Sequence, residues 1–115
     1  MAKATGIGGV FFRARDKKAL AEWYETHLGT PGFWTQEAGM TVFAPFSSDT
    51  DYFPADKQWM INLRVDDLDA FVEALAAKGI EIIGRQNEDY GKFAWILDCD
   101  GIKIELWQQL GPAPS

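Results

Sequence analysis

One cysteine, Cys99, one histidine, His27, and 11 basic residues against 17 acidic ones leave several kinds of chemistry short of reagents. A single thiol forms no internal disulfide, which fits a reducing cytosol and a cytoplasmic protein. The formal charge of −6 opposes contact with nucleic acid, whose phosphates call for clustered Lys and Arg. Nowhere do eighteen apolar residues run together, and the opening MAKATG has no apolar stretch, so neither a membrane span nor a signal peptide is expected. With 47% apolar residues over 115 positions, there is material for one sizeable core and too little for two. The acidic balance suits a cationic small ligand and also keeps a small domain soluble.

The chain then reads as a repeat. An offset of 51 residues lays FRARDKKALAEWYETHLG, from Phe12, on LRVDDLDAFVEALAAKGI, from Leu63, matching Asp16 to Asp67, Ala19 to Ala70 and Glu22 to Glu73. Each half opens with a strand (8–14 and 60–65), then an Asp suited to helix capping, then an amphipathic helix. Leu20, Tyr24 and Leu28 form the apolar stripe of the first helix, which stops at Gly29. Leu68, Phe71, Val72 and Leu75 form that of the second, which stops at Gly79. The same offset predicts further strands at 32–36, 41–46 and 51–53 in the first half and at 80–85, 92–98 and 102–108 in the second. The result is one domain over 1–115, an α+β fold of two tandem βαβββ modules at about 6–54 and 57–109. Pro45 and Pro54 push the first-half strands toward edges or bulges. Residues 47–58 read as a polar connection, 87–90 as an acidic loop and 111–115 as a disordered tail.

Tyr90 to Trp107, YGKFAWILDCDGIKIELW, is the most informative stretch. Asp98, Cys99, Asp100 and Gly101 suit a type I turn closed by a bulge, which sets Trp95 across from Glu105. Period-two alternation sends Ile104 and Leu106 to one face and Lys103, Glu105 and Trp107 to the other. A carboxylate walled by tryptophan is costly to bury unless it has partners.

The two-fold pattern with DCDGIKIELW near its end resembles the vicinal oxygen chelate superfamily, which includes glyoxalase I, extradiol dioxygenases and bleomycin resistance proteins. Relatives often carry proline where Cys99 stands. The resemblance implies curved half-barrel sheets with helices on the outer face, and a cup for a small molecule that is often bound through a metal. It also assigns four metal-ligand positions, which fall here on Gly9, Pro54, Met60 and Glu105. Glycine and proline lack a donor side chain and a thioether suits hard divalent ions poorly, so no metal and no other cofactor is expected. His27, in the last turn of the first helix, is expected to interact with the helix C-terminus.

On the first strands Gly9, Phe11 and Arg13, with Met60, Asn62 and Arg64, share the ligand face, whereas Val10, Phe12, Ile61, Leu63 and Val65 face the helices. Phe11, Arg13, Met60, Asn62, Arg64, Trp95 and Trp107 are therefore the candidate ligand-binding residues, and Glu105 the candidate catalytic one. Several readings stay open. Phe11 and Met60 also suit plain packing, and Trp23, Trp34 and Trp59 suit the core or a dimer interface. Arg13 and Arg64 serve as surface charges or meet Glu105 or a ligand anion. Glu105 is a relic paired with an Arg or Lys103, a general base, or a seat for a ligand cation. Cys99, in a turn without a histidine nearby, is not expected to be a reactive thiolate. Two function classes follow: a metal-independent, small-molecule-binding, glyoxalase-like protein that works as a lyase or isomerase through Glu105, or a bleomycin-resistance-type protein that sequesters its ligand. A homodimer is expected in either case, because half-cups leave apolar faces to cover.

Overall fold

The computed structural model describes residues 2–111. The elements follow one another as α1 (Lys17–Leu28), β1 (Ile61–Arg64), α2 (Leu68–Ala77), β2 (Gly84–Glu88), β3 (Gly91–Leu97) and β4 (Lys103–Gln109). The four strands form one open mixed sheet in the order β1-β4-β3-β2, with β1 parallel to β4 and the other pairs antiparallel. The fold is α+β.

Both helices begin as their sequences dictate. Asp16 Oδ1 accepts from the Ala19 N–H and Asp67 Oδ1 from the Ala70 N–H, each at 3.1 Å, so the matched aspartates cap in the same way. Gly29 and Gly79, with φ of 71° and 83°, end the two helices in the left-handed region. Alternation along β3 and β4 sends Ala94, Ile96, Ile104 and Leu106 toward the helices, where they meet Leu20, Leu68 and Leu75. Leu68, Leu75, Ile96, Ile104 and Leu106 are fully buried, each contributing about 1.5–3 kcal/mol.

The β3–β4 turn has the expected register. Trp95 pairs with Glu105, the Gly101 N–H donates to the Asp98 carbonyl at 3.0 Å, and Gly101 has φ of 82°. Asp98 is buried and accepts from the backbone N–H groups of Asp100 (2.8 Å) and Ile102 (3.0 Å) and from the Tyr24 hydroxyl (2.6 Å). That carboxylate locks the turn and ties α1 to it. Arg15 adds an outer tie, donating to Asp100 and to the Cys99 carbonyl.

The first half departs from expectation. Residues 8–14, 32–36, 41–46 and 51–53 carry no strand, and among the described residues the first half supplies helix α1 alone. A strand needs a hydrogen-bonding neighbour, and among the described residues these segments pair with none. Val10 and Phe12 accordingly stay outside the core; Phe12 packs on Trp59, with ring centroids 4.9 Å apart. In the second half, the strand expected at 80–85 lies instead at Gly84–Glu88. Asn87 and Glu88 belong to that strand and not to a loop, because the turn to β3 is only Asp89 and Tyr90. His27 packs edge-on against Trp23 at 5.3 Å, and its Nδ1 has no hydrogen-bond partner, so it makes no bond to the helix end through that atom. Residues 112–115 of the expected tail lie outside the described residues. Among the described residues no helix is long and apolar enough to cross a membrane.

Candidate functional site

The sheet face opposite the helices carries the odd-numbered side chains of β3 and β4. Phe93 lies between two indoles: it stacks on Trp107 at 6.0 Å with a 5° interplanar angle and on Trp95 at 6.4 Å with 12°. Three nearly parallel rings thus form an aromatic ladder across the two strands. Glycine makes the space for it. A methyl group at Gly84, which pairs with Trp95, would meet that ring at 3.2 Å, and one at Gly91 would meet Trp107 Nε1 at 2.5 Å.

Glu105 stands at one end of the ladder, half-buried. Its Oε1 accepts from Asn62 Nδ2 at 2.7 Å, and its Oε2 accepts from Trp95 Nε1 at 2.8 Å and from the Tyr52 hydroxyl. Parallel pairing of β1 with β4 puts Asn62 level with Glu105, and the hairpin register does the same for Trp95. Lys103 Nζ sits 4.4 Å from the Tyr52 ring centroid and 5.6 Å from that of Trp95, and donates to the Tyr52 carbonyl. Burial and the bond to Glu105 push the Tyr52 hydroxyl up to about 12, so it stays a proton donor at neutral pH.

The predicted site residues divide into two groups. Asn62, Trp95, Glu105 and Trp107 come together on this face. Arg64 turns away from the carboxylate, donating to the carbonyls of Glu37 (2.9 Å) and Ala38 (3.3 Å), where it anchors the loop around Gly39. Met60 is half-buried just before β1. Phe11 is 95% exposed and Arg13 is also exposed, and neither joins the Glu105 cluster. Lys103 does not pair with Glu105 but covers the two rings that do. Partial desolvation and the carboxylates of Asp100 and Asp98 hold the thiol of the exposed Cys99 above its ordinary range.

Sequence reasoning missed Tyr52 by placing it in a solvated connection. The one signal is the 51-residue offset, which puts Pro54 level with Glu105 and so brings the neighbourhood of Tyr52 to it.

The donor set does not fit a metal. Of the four positions that the resemblance assigns to ligands, only Glu105 carries a hard donor, and three hydrogen-bond donors already converge on it. Among the described residues, no group of three or more His, Cys, Asp or Glu could hold an ion.

The sequence profile of the Glyoxalase/Bleomycin resistance protein/Dioxygenase superfamily matches residues 6–106. The chain belongs to that superfamily. No curated protein matches the sequence. Among solved structures, TnmS3, an antibiotic binding protein from Streptomyces sp. CB03234, is 26% identical, with a TM-score of 0.55 over 83% of this chain and 88% of that one. A glyoxylase/bleomycin resistance protein/dioxygenase domain from Frankia sp. EAN1pec is 18% identical, with a TM-score of 0.63 over 96% of each chain. TioX from Micromonospora sp. ML1 is 14% identical, with a TM-score of 0.56 over 88% of this chain and 94% of that one. The last two similarities are likenesses of fold alone.

Proposed function

We propose that this superfamily member is a metal-independent binding protein that sequesters a planar aromatic small molecule on the half-buried rings of Phe93 and Trp95, backed by the buried ring of Trp107. The observation that carries this reading is the pairing of near-parallel rings with a carboxylate whose oxygens are both engaged by donors. Stacked rings offer a ligand dispersion and a flat apolar seat, and one end of that seat is polar enough to fix orientation. Three of the roughly four lone-pair positions of the Glu105 carboxylate are taken by donors of this chain, which suits a fixed acceptor that orients a ligand. Similarity to an antibiotic binding protein supports binding over turnover.

The same proposal includes the two-module organisation, 6–54 and 57–109, and a cytoplasmic homodimer. The matched helix caps support the modules. Phe11, Phe33 and Phe43, nearly or fully exposed in one copy, support a partner copy that covers them and lends its first-half strands a neighbour.

A thermal-shift screen of planar aromatic antibiotics and metabolites, followed by mass spectrometry of every hit, tests the reading. Hits recovered chemically unchanged, with affinity lost in Phe93→Ala, are expected. A reaction product that disappears in Glu105→Ala would establish the lyase or isomerase reading instead.

A further inference from the structure

The ring that completes the Glu105 cluster belongs to a segment without helix or strand, tied to the sheet by this ring and by the Lys103 bond to the Tyr52 carbonyl. Residues 47–51 are mostly exposed and carry no helix or strand, and the Tyr52 N–H is fixed only by Thr50 Oγ1 at 3.2 Å. Phe46 packs on Tyr52 at 5.4 Å and on Phe53 at 5.5 Å, so the segment is a small aromatic strap laid against the sheet. Its tip is what the sheet recognises.

Three groups from the sheet meet that tip, one in a way specific to a hydroxyl and two in ways that suit an aromatic ring. Glu105 Oε2 accepts its hydroxyl proton, the Trp95 ring meets it edge-on at 6.4 Å and 83°, and the Lys103 ammonium lies over its face. Nothing in this recognition requires the phenol to be attached to the chain.

We propose that the pocket filled by Tyr52 is a binding position for a hydroxyaryl group, in which Tyr52 is a built-in competitor that a phenolic ligand displaces. The inference rests on the reading of this face as a small-molecule site and adds the ligand class and the residue that controls access. A neutral hydroxyaryl ring replacing Tyr52 keeps the proton donation to Glu105, the edge contact with Trp95 and the cation over its face. The rest of a larger ligand then extends along Phe93, whose ring is backed by the buried Trp107. Competition weakens apparent affinity by the fraction of molecules whose seat is open, so a strap closed nine times in ten costs about tenfold.

The test uses the full chain and 4-methylphenol, the tyrosine side chain as a free molecule, with toluene as the same shape lacking the hydroxyl. Binding is read by tryptophan fluorescence and by the change in Tm. Tyr52→Ala is expected to bind 4-methylphenol about tenfold tighter than the wild type, to be stabilised by it, and to prefer it over toluene; adding Glu105→Ala should remove that preference. Tyr52→Phe keeps the ring and its packing but does not compete for Glu105, and it should also bind 4-methylphenol more tightly than the wild type. Equal affinity in wild type, Tyr52→Ala and Tyr52→Phe, or no preference for the hydroxyl, overturns the proposal. The sequestration reading fails separately, if Phe93→Ala leaves the affinity of larger aromatic hits unchanged while the 4-methylphenol results hold.

Discussion

Trp95 and Glu105 face each other across β3 and β4, and the indole Nε1 donates to the carboxylate at 2.8 Å. With Asn62 and Tyr52 as further donors, the site presents only N–H and O–H groups to Glu105. Glu105→Gln turns one acceptor oxygen into a donor, so the Asn62 amide has to flip or the Tyr52 hydroxyl has to turn, and the charge that draws all three donors is lost. We expect it to lower unfolding free energy by about 1–3 kcal/mol, measured by urea denaturation, and to weaken every ligand that binds the wild type.

Gly91 makes room for Trp107. A methyl group there would lie 2.5 Å from Nε1, 3.0 Å from Cδ1 and 3.2 Å from the Gln108 carbonyl. Overpacking of this kind costs about 1–3 kcal/mol, so Gly91→Ala should lower the Tm by several degrees. Gly84→Ala, whose tightest contact is 3.2 Å to Trp95, should lower it less. Both are read in one thermal melt.

Asp98→Ala removes an acceptor from two backbone N–H groups and from Tyr24. A loss of about 2–4 kcal/mol is expected, with α1 loosening first in hydrogen exchange.

High pH gives an independent check on both tyrosines. Burial and the bond to Asp98 raise Tyr24 far above the ordinary phenol range, and Tyr52 stands at about 12. Between the unfolded value near 10 and these folded values, the unfolded chain releases protons that the native chain keeps. Stability conferred by the two phenols is therefore complete below pH 10 and declines as pH rises through 12. The decline, followed by circular dichroism, should be shallower in Tyr52→Phe.

Light scattering at micromolar concentration is expected to give twice the mass of one chain. Phe33→Asp combined with Phe43→Asp should shift the protein to the monomer, since these side chains are exposed in a single copy and would be buried against its partner.

Local physics wrote much of this molecule into its sequence. The caps at Asp16 and Asp67, the stops at Gly29 and Gly79, the 98–101 turn and the Trp95–Glu105 register depend on residues a few positions apart, so alternation and turn chemistry were enough to read them. Sharing of one face by Asn62, Trp95, Glu105 and Trp107 follows from the same period of two. Tertiary structure alone decided what crosses the chain at long range. Arg64 spends its guanidinium on the carbonyls of Glu37 and Ala38, and Tyr52, from a segment without secondary structure, closes over Glu105. Neither contact has a period to betray it, because side chains on loops are placed by whatever donor or acceptor the packed sheet leaves within reach. The segments expected as first-half strands belong with these: their sequences alternate, but a strand exists only beside a partner, and among the described residues they pair with none.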